Sequence, residues 1–262
     1  MNADQAINAT NSSLMQYPIV LIHGLFGSLG DPKIVAAFDK QQVYTPDLLG
    51  YGQFQSADLK ELTLVDQADH LAAHISSAEL GPVHLVGHSV GGAVGVLVAN
   101  RYPHIIASLT SIEGNFTLKD AFWSSKIANM PLSEVTAIVS GYKEKPDEWI
   151  ASAGVPISDW TLSLARSWLE NQPPATIKAQ ATAVVEATRQ SLYLKTIHKL
   201  MHSKIPINLI AGSRSAAEWD APAWANQLCS MRININGVGH LMMAESPEKF
   251  ATSIIACTQF TM

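Results

Sequence analysis

The sequence predicts an α/β fold: a doubly wound, mostly parallel β-sheet flanked by helices, with an inserted block of helices. Three observations carry that prediction. Short continuous apolar runs rich in β-branched residues, such as Tyr17-Pro18-Ile19-Val20-Leu21-Ile22, alternate with longer helical patterns at the spacing of βαβ units. One such run, Val83–Val86, ends in Gly87-His88-Ser89-Val90-Gly91 and passes into a helical stretch closed by Pro103. The alternation then stops after Glu113 and resumes at Ile205, leaving residues 114–204 without a convincing core strand. The predicted division is a core domain from 1–113 and 205–262 and a helical cap insertion from 114–204.

Composition narrows the partners. At 262 residues the chain is long enough for one large domain with an insert. It is 47% hydrophobic and 15% charged, which supports a sizeable core and argues against disorder. The net charge is −5 and the 17 Lys and Arg form no dense cluster, so nucleic acid is a poor partner. Cys229 and Cys257 lack CxxC or metal-ligand spacing and read as buried thiols of a reducing compartment. The first residues lack the basic-then-apolar order of a signal peptide, and no apolar run reaches the length of a membrane span. The expectation is a soluble, cytoplasmic protein.

In chain order, residues 1–16 are polar and read as a loose arm. The strand at 17–22 opens into His23-Gly24-Leu25-Phe26-Gly27-Ser28, where two glycines free the backbone to turn an N–H inward. A helix is predicted over Asp31–Lys40, with Asp31 as N-cap and Pro32 at the first helical position. A strand near Val43–Pro46 leads into Asp47-Leu48-Leu49-Gly50-Tyr51-Gly52, then a long amphipathic helix from Thr63 to Ala78. After the serine turn come a helix over Ala93–Tyr102 and a strand over Ile105–Ile112.

The inserted block reads as helices near Leu132–Ser140, Asp147–Ala153, Ser158–Glu170, Ala175–Gln190 and Tyr193–Met201, punctuated by prolines. Its tryptophans, Trp123, Trp149, Trp160 and Trp168, are expected mostly in the cap's own core, with one or two lining a substrate pocket. Strands follow over Ile205–Gly212 and Met231–Asn236, with a helix near Ala221–Leu228 between them. The last helix starts at Ser246-Pro247-Glu248.

The chemistry centres on the serine turn. Glycines two residues either side of Ser89 let strand and helix approach closely, so the turn holds a strained serine clear of both. The helix N-terminus behind it offers N–H groups to an anion. Four stretches in this order together resemble the α/β-hydrolase family over nearly the whole chain, from about Tyr17 to Phe260. They are His23-Gly24-Leu25-Phe26-Gly27, Asp47-Leu48-Leu49-Gly50-Tyr51-Gly52, Gly87-His88-Ser89-Val90-Gly91-Gly92, and Gly239-His240 followed by Glu245-Ser246-Pro247.

That resemblance implies Ser89 as nucleophile and His240 as general base, work suited to an imidazole with an unperturbed pKa of about 6.5. It implies an oxyanion hole from the backbone N–H groups of Val90 and Leu25, with Phe26 as the alternative to Leu25, and His23 as a brace for that loop. Phe26, His88, Trp123 and Leu241 are expected in the substrate pocket. No metal or organic cofactor is implied.

The triad acid departs from the pattern. Most of the family places it in a Gly-x-x-Asp turn, where this chain has Gly212-Ser213-Arg214-Ser215. Two replacements are available: Glu113, or Asp220 with Glu218 beside it. Glu113 is preferred, because it ends an apolar strand, a poor place for an idle carboxylate. Asp47 is expected to be structural. The i,i+4 pairs His70/His74 and His198/His202 read as helix-surface histidines, and sequons at Asn8 and Asn115 carry no weight without secretion.

The expected function is a serine hydrolase acting on a small, uncharged carboxylic ester through an acyl-enzyme. Thioester, lactone or carbon–carbon hydrolysis, cofactor-free dioxygenation and a non-catalytic ligand-binding role are the alternatives on this fold.

Overall fold

The structure is a computed structural model that describes residues 17–259; the expectations for the arm at 1–16 and the sequon at Asn8 lie outside the described residues. Six strands form one parallel sheet: β1 (Ile19–Ile22), β2 (Val43–Tyr44), β3 (Val83–His88), β4 (Ile106–Ile112), β5 (Ile207–Gly212) and β6 (Met231–Ile235). Their spatial order is β2-β1-β3-β4-β5-β6, with every neighbouring pair parallel. The chain winds one way from β1 to β2 and then the other way from β3 outward. The direction reverses between β1 and β3, and a crevice at the carboxyl ends of the strands is the usual ligand site of such sheets.

The strands that read as unbroken apolar runs are buried on both faces. Every residue of β1, β3 and β5 is buried, as a parallel sheet covered by helices requires. Helices α1 (Pro32–Ala36), α2 (Leu64–Ser77) and α3 (Val90–Arg101) connect the first strands. Asp31 caps α1 as expected, accepting from the N–H groups of Lys33 and Ile34, and Thr63 with Asp66 forms a capping box on α2.

Between β4 and β5 lie six helices: α4 (Phe122–Asn129), α5 (Leu132–Glu144), α6 (Pro146–Ser152), α7 (Asp159–Glu170), α8 (Pro174–Arg189) and α9 (Ser191–Met201). Among the described residues this stretch holds no strand. Helices α10 (Ala223–Leu228), α11 (Met242–Glu245) and α12 (Pro247–Gln259) complete the chain. Among the described residues no helix is long and apolar enough to cross a membrane.

Several sequence expectations need correction. Helix α1 ends at Ala36 rather than Lys40, and the chain turns there through Asp39 at φ 52°. Helix α3 begins at Val90, three residues before the apolar run suggested, because packing against the sheet overrides the poor helix propensity of Gly91 and Gly92. Helix α4 carries no helix signal in the sequence: its polar Ser124-Ser125-Lys126 hides the period, and Ala121 offers no side-chain cap. Cys257 is buried, but Cys229 is only half-buried, because it follows α10 beside the edge strand β6. His70 is no plain surface residue: it is half-buried, and its Nε2–H donates to the Asp47 carbonyl at 3.1 Å. Asn115, the second sequon, is itself buried.

The glycines around Ser89 answer to backbone contact. A Cβ on Gly91 would overlap the carbonyl oxygens of Ile22 and His23 at the end of β1. Helix α3 can therefore sit directly against the strand that carries the His-Gly loop. Gly141 in α5 is the opposite case, exposed and with nothing within 4 Å of an added Cβ.

Alanine gains up to about 1 kcal/mol over glycine in a helix interior. At Gly141 that gain stands alone, so Gly141→Ala should raise the urea midpoint. At Gly91 the forced backbone shift, about 1–3 kcal/mol for overpacking, outweighs it, so Gly91→Ala should lower the midpoint. Equilibrium urea unfolding of both variants measures the pair.

Candidate active site

Ser89 sits between β3 and α3 at φ 53° and ψ −120°, a left-handed conformation that a serine holds only where its surroundings force it. The strand behind fixes its N–H on the Ile112 carbonyl at 3.0 Å. Its carbonyl accepts from Gly92 at 2.9 Å. Val90 is the first residue of α3, so its N–H has no intrahelical acceptor.

The His-Gly loop runs beside this turn: a Cβ on Gly24 would lie 3.2 Å from that of Ser89. Its carbonyls are tied down in turn. His23 Nδ1–H donates to Gly24 O at 2.9 Å, and the Tyr51 hydroxyl donates to Leu25 O at 2.8 Å. Asn171 donates to Gly27 O at 2.9 Å, while the Gly27 N–H donates to Gln172 Oε1 at 3.0 Å. Gly27, at φ 86°, also leaves room for the Trp168 ring above it. Among the described residues, the N–H groups of Leu25 and Phe26 are bonded to no acceptor. His23 braces the loop as a neutral ring, because burial lowers its pKa and its Nε2 accepts the Leu48 N–H at 3.4 Å.

His240 follows β6. Its Nδ1–H donates to Glu113 Oε2 at 2.6 Å, leaving Nε2 as the ring's lone-pair nitrogen. Glu113 closes β4 at φ 42° and is buried. Its second oxygen, Oε1, accepts from the Gly212 N–H at 2.8 Å and from the Ser215 hydroxyl at 2.6 Å. Burial pushes the Glu113 carboxyl up, but the bond and charge of His240, with Ser215 and Gly212, more than offset this and hold it below the usual carboxylate range. Asp220 is elsewhere: it accepts from the Thr117 hydroxyl at 2.7 Å and lies 3.5 Å from Lys119 Nζ. Glu218 is exposed.

The loop carrying His240 is clamped by the turn after β5. Ser213 accepts the Gly237 N–H at 2.9 Å, and Arg214 pairs at 2.6 Å with Glu245, which accepts the Gly239 N–H at 2.8 Å. From the other side, His88 Nε2–H donates to the His240 carbonyl at 3.0 Å, the two rings 4.5 Å apart.

Ser89 and His240 share one cavity of about 430 Å³, without a direct bond between hydroxyl and ring. All four expected pocket residues, Phe26, His88, Trp123 and Leu241, line it. The sequence reading missed Phe122, Tyr142 and Trp219, and put too many tryptophans in the interior of the insert. Trp123, Trp149 and Trp168 all reach the cavity, while Trp160 bonds Asp31 at 3.1 Å instead. Phe26, Tyr142 and Trp149 pack with ring centroids 5.8–6.3 Å apart, forming a continuous aromatic wall. Among the described residues, no three His, Cys, Asp or Glu cluster as metal ligands.

A parallel sheet with serine, histidine and carboxylate gathered at its carboxyl edge defines a class of α/β proteins. The chain matches the alpha/beta hydrolase family over residues 19–253, and it belongs to that family. It is 35% identical over 98 residues to a protein assigned as the carbamate hydrolase RutD of Pantoea ananatis, covering 37% of this chain and 36% of the relative. It is 27% identical over 128 residues to Lipase 1 of Psychrobacter immobilis, covering 48% and 39%. These matches therefore span little more than a third of either relative's length. Among solved structures, a carboxylesterase study of Nitrososphaera gargenis provides a chain similar in fold, with a TM-score of 0.74, 18% identity and coverage of 94% and 91%.

Three buried histidines make stability depend on pH. Burial lowers the pKa of His23, of His84 to about 4 and of His88 to about 3. The unfolded chain protonates these rings near pH 6.5 and the folded chain does not, so their penalty is absent above that pH. Stability should fall as pH drops from about 6.5 toward about 4. The urea midpoint measured across this range should trace that fall, and His84→Asn, away from the cavity, should flatten it. Glu113, held low, adds its own loss only below its ordinary value of 4.5.

Proposed function

We propose that this protein is a serine hydrolase that cleaves a small, uncharged carboxylic ester through an acyl-enzyme intermediate. The observation that carries the reading is the 2.6 Å bond from His240 Nδ1 to the buried Glu113 carboxylate, with Nε2 left over beside a cavity shared with Ser89. That bond selects the tautomer a general base needs.

In this mechanism His240 Nε2 takes the Ser89 proton as Oγ attacks the ester carbonyl carbon. The oxygen that becomes negative is held by the N–H of Val90 and that of Leu25, with Phe26 as the alternative donor. Collapse breaks the bond to the alkoxy oxygen, which leaves as the alcohol with the proton from His240. Water then gives its proton to His240 and attacks the acyl carbon, and the acid departs as Ser89 recovers its proton. Glu113 stays ionised throughout and stabilises the imidazolium.

An uncharged substrate is supported by the Phe, Tyr and Trp rings that supply apolar wall, by the lack of a Lys or Arg to hold an anion, and by the lining carboxylates Glu113, Asp120 and Glu218, which would repel one. The volume, about 430 Å³, suits a medium-sized acyl or alcohol group. The helical stretch 114–204 acts as the cap over a core of 1–113 and 205–262, and the protein works in the cytoplasm.

Hydrolysis of p-nitrophenyl esters from acetate to octanoate tests this directly. Ser89→Ala should abolish turnover, and Glu113→Gln should cut kcat by up to about 10⁴-fold, as loss of the tautomer-fixing acid does in other triads. Asp220→Asn should leave kcat within about 3-fold, since a carboxylate bonded elsewhere takes no part in proton transfer. A wild-type protein inert to all esters and to a fluorophosphonate probe sinks the reading. Oxygen uptake with a heteroaromatic substrate, surviving Ser89→Ala, would replace it with a dioxygenase.

A further inference from the structure

The turn after β5 holds a hydroxyl where the family resemblance would put the triad acid. Ser215 is half-buried and lines the cavity. Its Oγ lies 2.6 Å from Glu113 Oε1 and 3.4 Å from the Gly212 carbonyl. A hydroxyl has one proton to give, and the shorter contact to an ionised acceptor takes it. The turn itself does not need this side chain: the backbone N–H groups of Ser215 and Ala216 close it on Gly212 O at 3.1 and 2.8 Å.

Resting on the hydrolase reading above, we propose that Ser215 is a positioning residue. Its hydroxyl holds Glu113 in the one rotamer from which the other carboxylate oxygen meets His240. Glu113 comes from a strand end at φ 42°, and its side chain must cross toward β5 and β6 to reach the ring. The Gly212 N–H and the Ser215 hydroxyl pin Oε1, so the carboxylate cannot swing away when His240 gains or loses a proton. Loss of the hydroxyl leaves Oε1 with one donor. The carboxylate is then free to swing from the ring, and it stabilises the imidazolium less.

The test compares wild type with Ser215→Ala, Ser215→Cys and Ser215→Thr, using kcat and KM for a p-nitrophenyl ester from about pH 5 to about pH 9. Alanine and cysteine should lower kcat about 10-fold with KM nearly unchanged, as small misplacements of catalytic groups do. The acidic limb of kcat/KM should move to lower pH. Threonine, which keeps the donor, should restore both. An unchanged kcat in Ser215→Ala, or a reduced kcat with an unmoved limb, overturns the proposal.

A second measurement needs no turnover. In the Ser89→Ala background, the downfield Nδ1 proton resonance of His240 should shift when Ser215→Ala is added, and an unmoved resonance overturns the proposal. Absence of Ser89-dependent turnover in wild type, with a resonance that does move, would instead remove the hydrolase reading and leave the Ser215 contact standing.

Discussion

The site depends on one carboxylate. Glu113 links three strand ends: its own on β4, the turn after β5 through Gly212 and Ser215, and the loop after β6 through His240. An ionised group this deeply buried is costly unless every oxygen has partners. Here both do, and the partners come from segments distant in sequence. The register of β4 against β5 is part of the same device, since the Glu113 N–H also bonds the Ile210 carbonyl at 3.0 Å. Removing the carboxylate would leave the imidazole unoriented and two donors unpaired, so the effects on chemistry and on the packing of the sheet edge arise together.

The second constraint is the close approach of backbones under Ser89. Gly91 presses against the end of β1 and Gly24 against the serine itself, so the Ser89 turn and the His-Gly loop share one wall. Tyr51, from the turn after β2, reaches across to hold Leu25 O, and His23 holds Gly24 O. With the Gly24, Leu25 and Gly27 carbonyls committed, the loop still has the N–H groups of Leu25 and Phe26 to offer. Preorganised donors of that kind cost nothing in reorganisation when charge develops.

The sheet and the four motifs were legible because their signals are local. A buried parallel strand is a continuous apolar run, and the Gly-x-Ser-x-Gly turn needs its glycines at fixed offsets. Glu113 stood out for a physical reason as well, an acid terminating an apolar strand. Other features depend on contacts between distant segments and leave no local trace. Ser215 is an ordinary turn serine until Glu113 is seen beside it, and Asn171 and Gln172 look like helix-end polar residues until they meet Gly27. Helix α4 lacks both a capping side chain and a clear apolar stripe, so period alone could not find it. The tryptophans were misjudged because apolar content says that a ring is covered, not whether other side chains or a cavity cover it.

Asn171 and Gln172 sit in the helical insert, yet they hold both polar groups of Gly27 in the loop beside Ser89; the Asn171 carbonyl also takes the Gly52 N–H at 2.8 Å. The insert thus braces the loop beside Ser89 and also supplies Trp123, Tyr142 and Trp149 to the cavity. A graft lacking the 168–172 segment would arrive without the brackets that hold Gly27 in place. Such a chimaera would inherit a new pocket and lose the shape of the place where charge must be held.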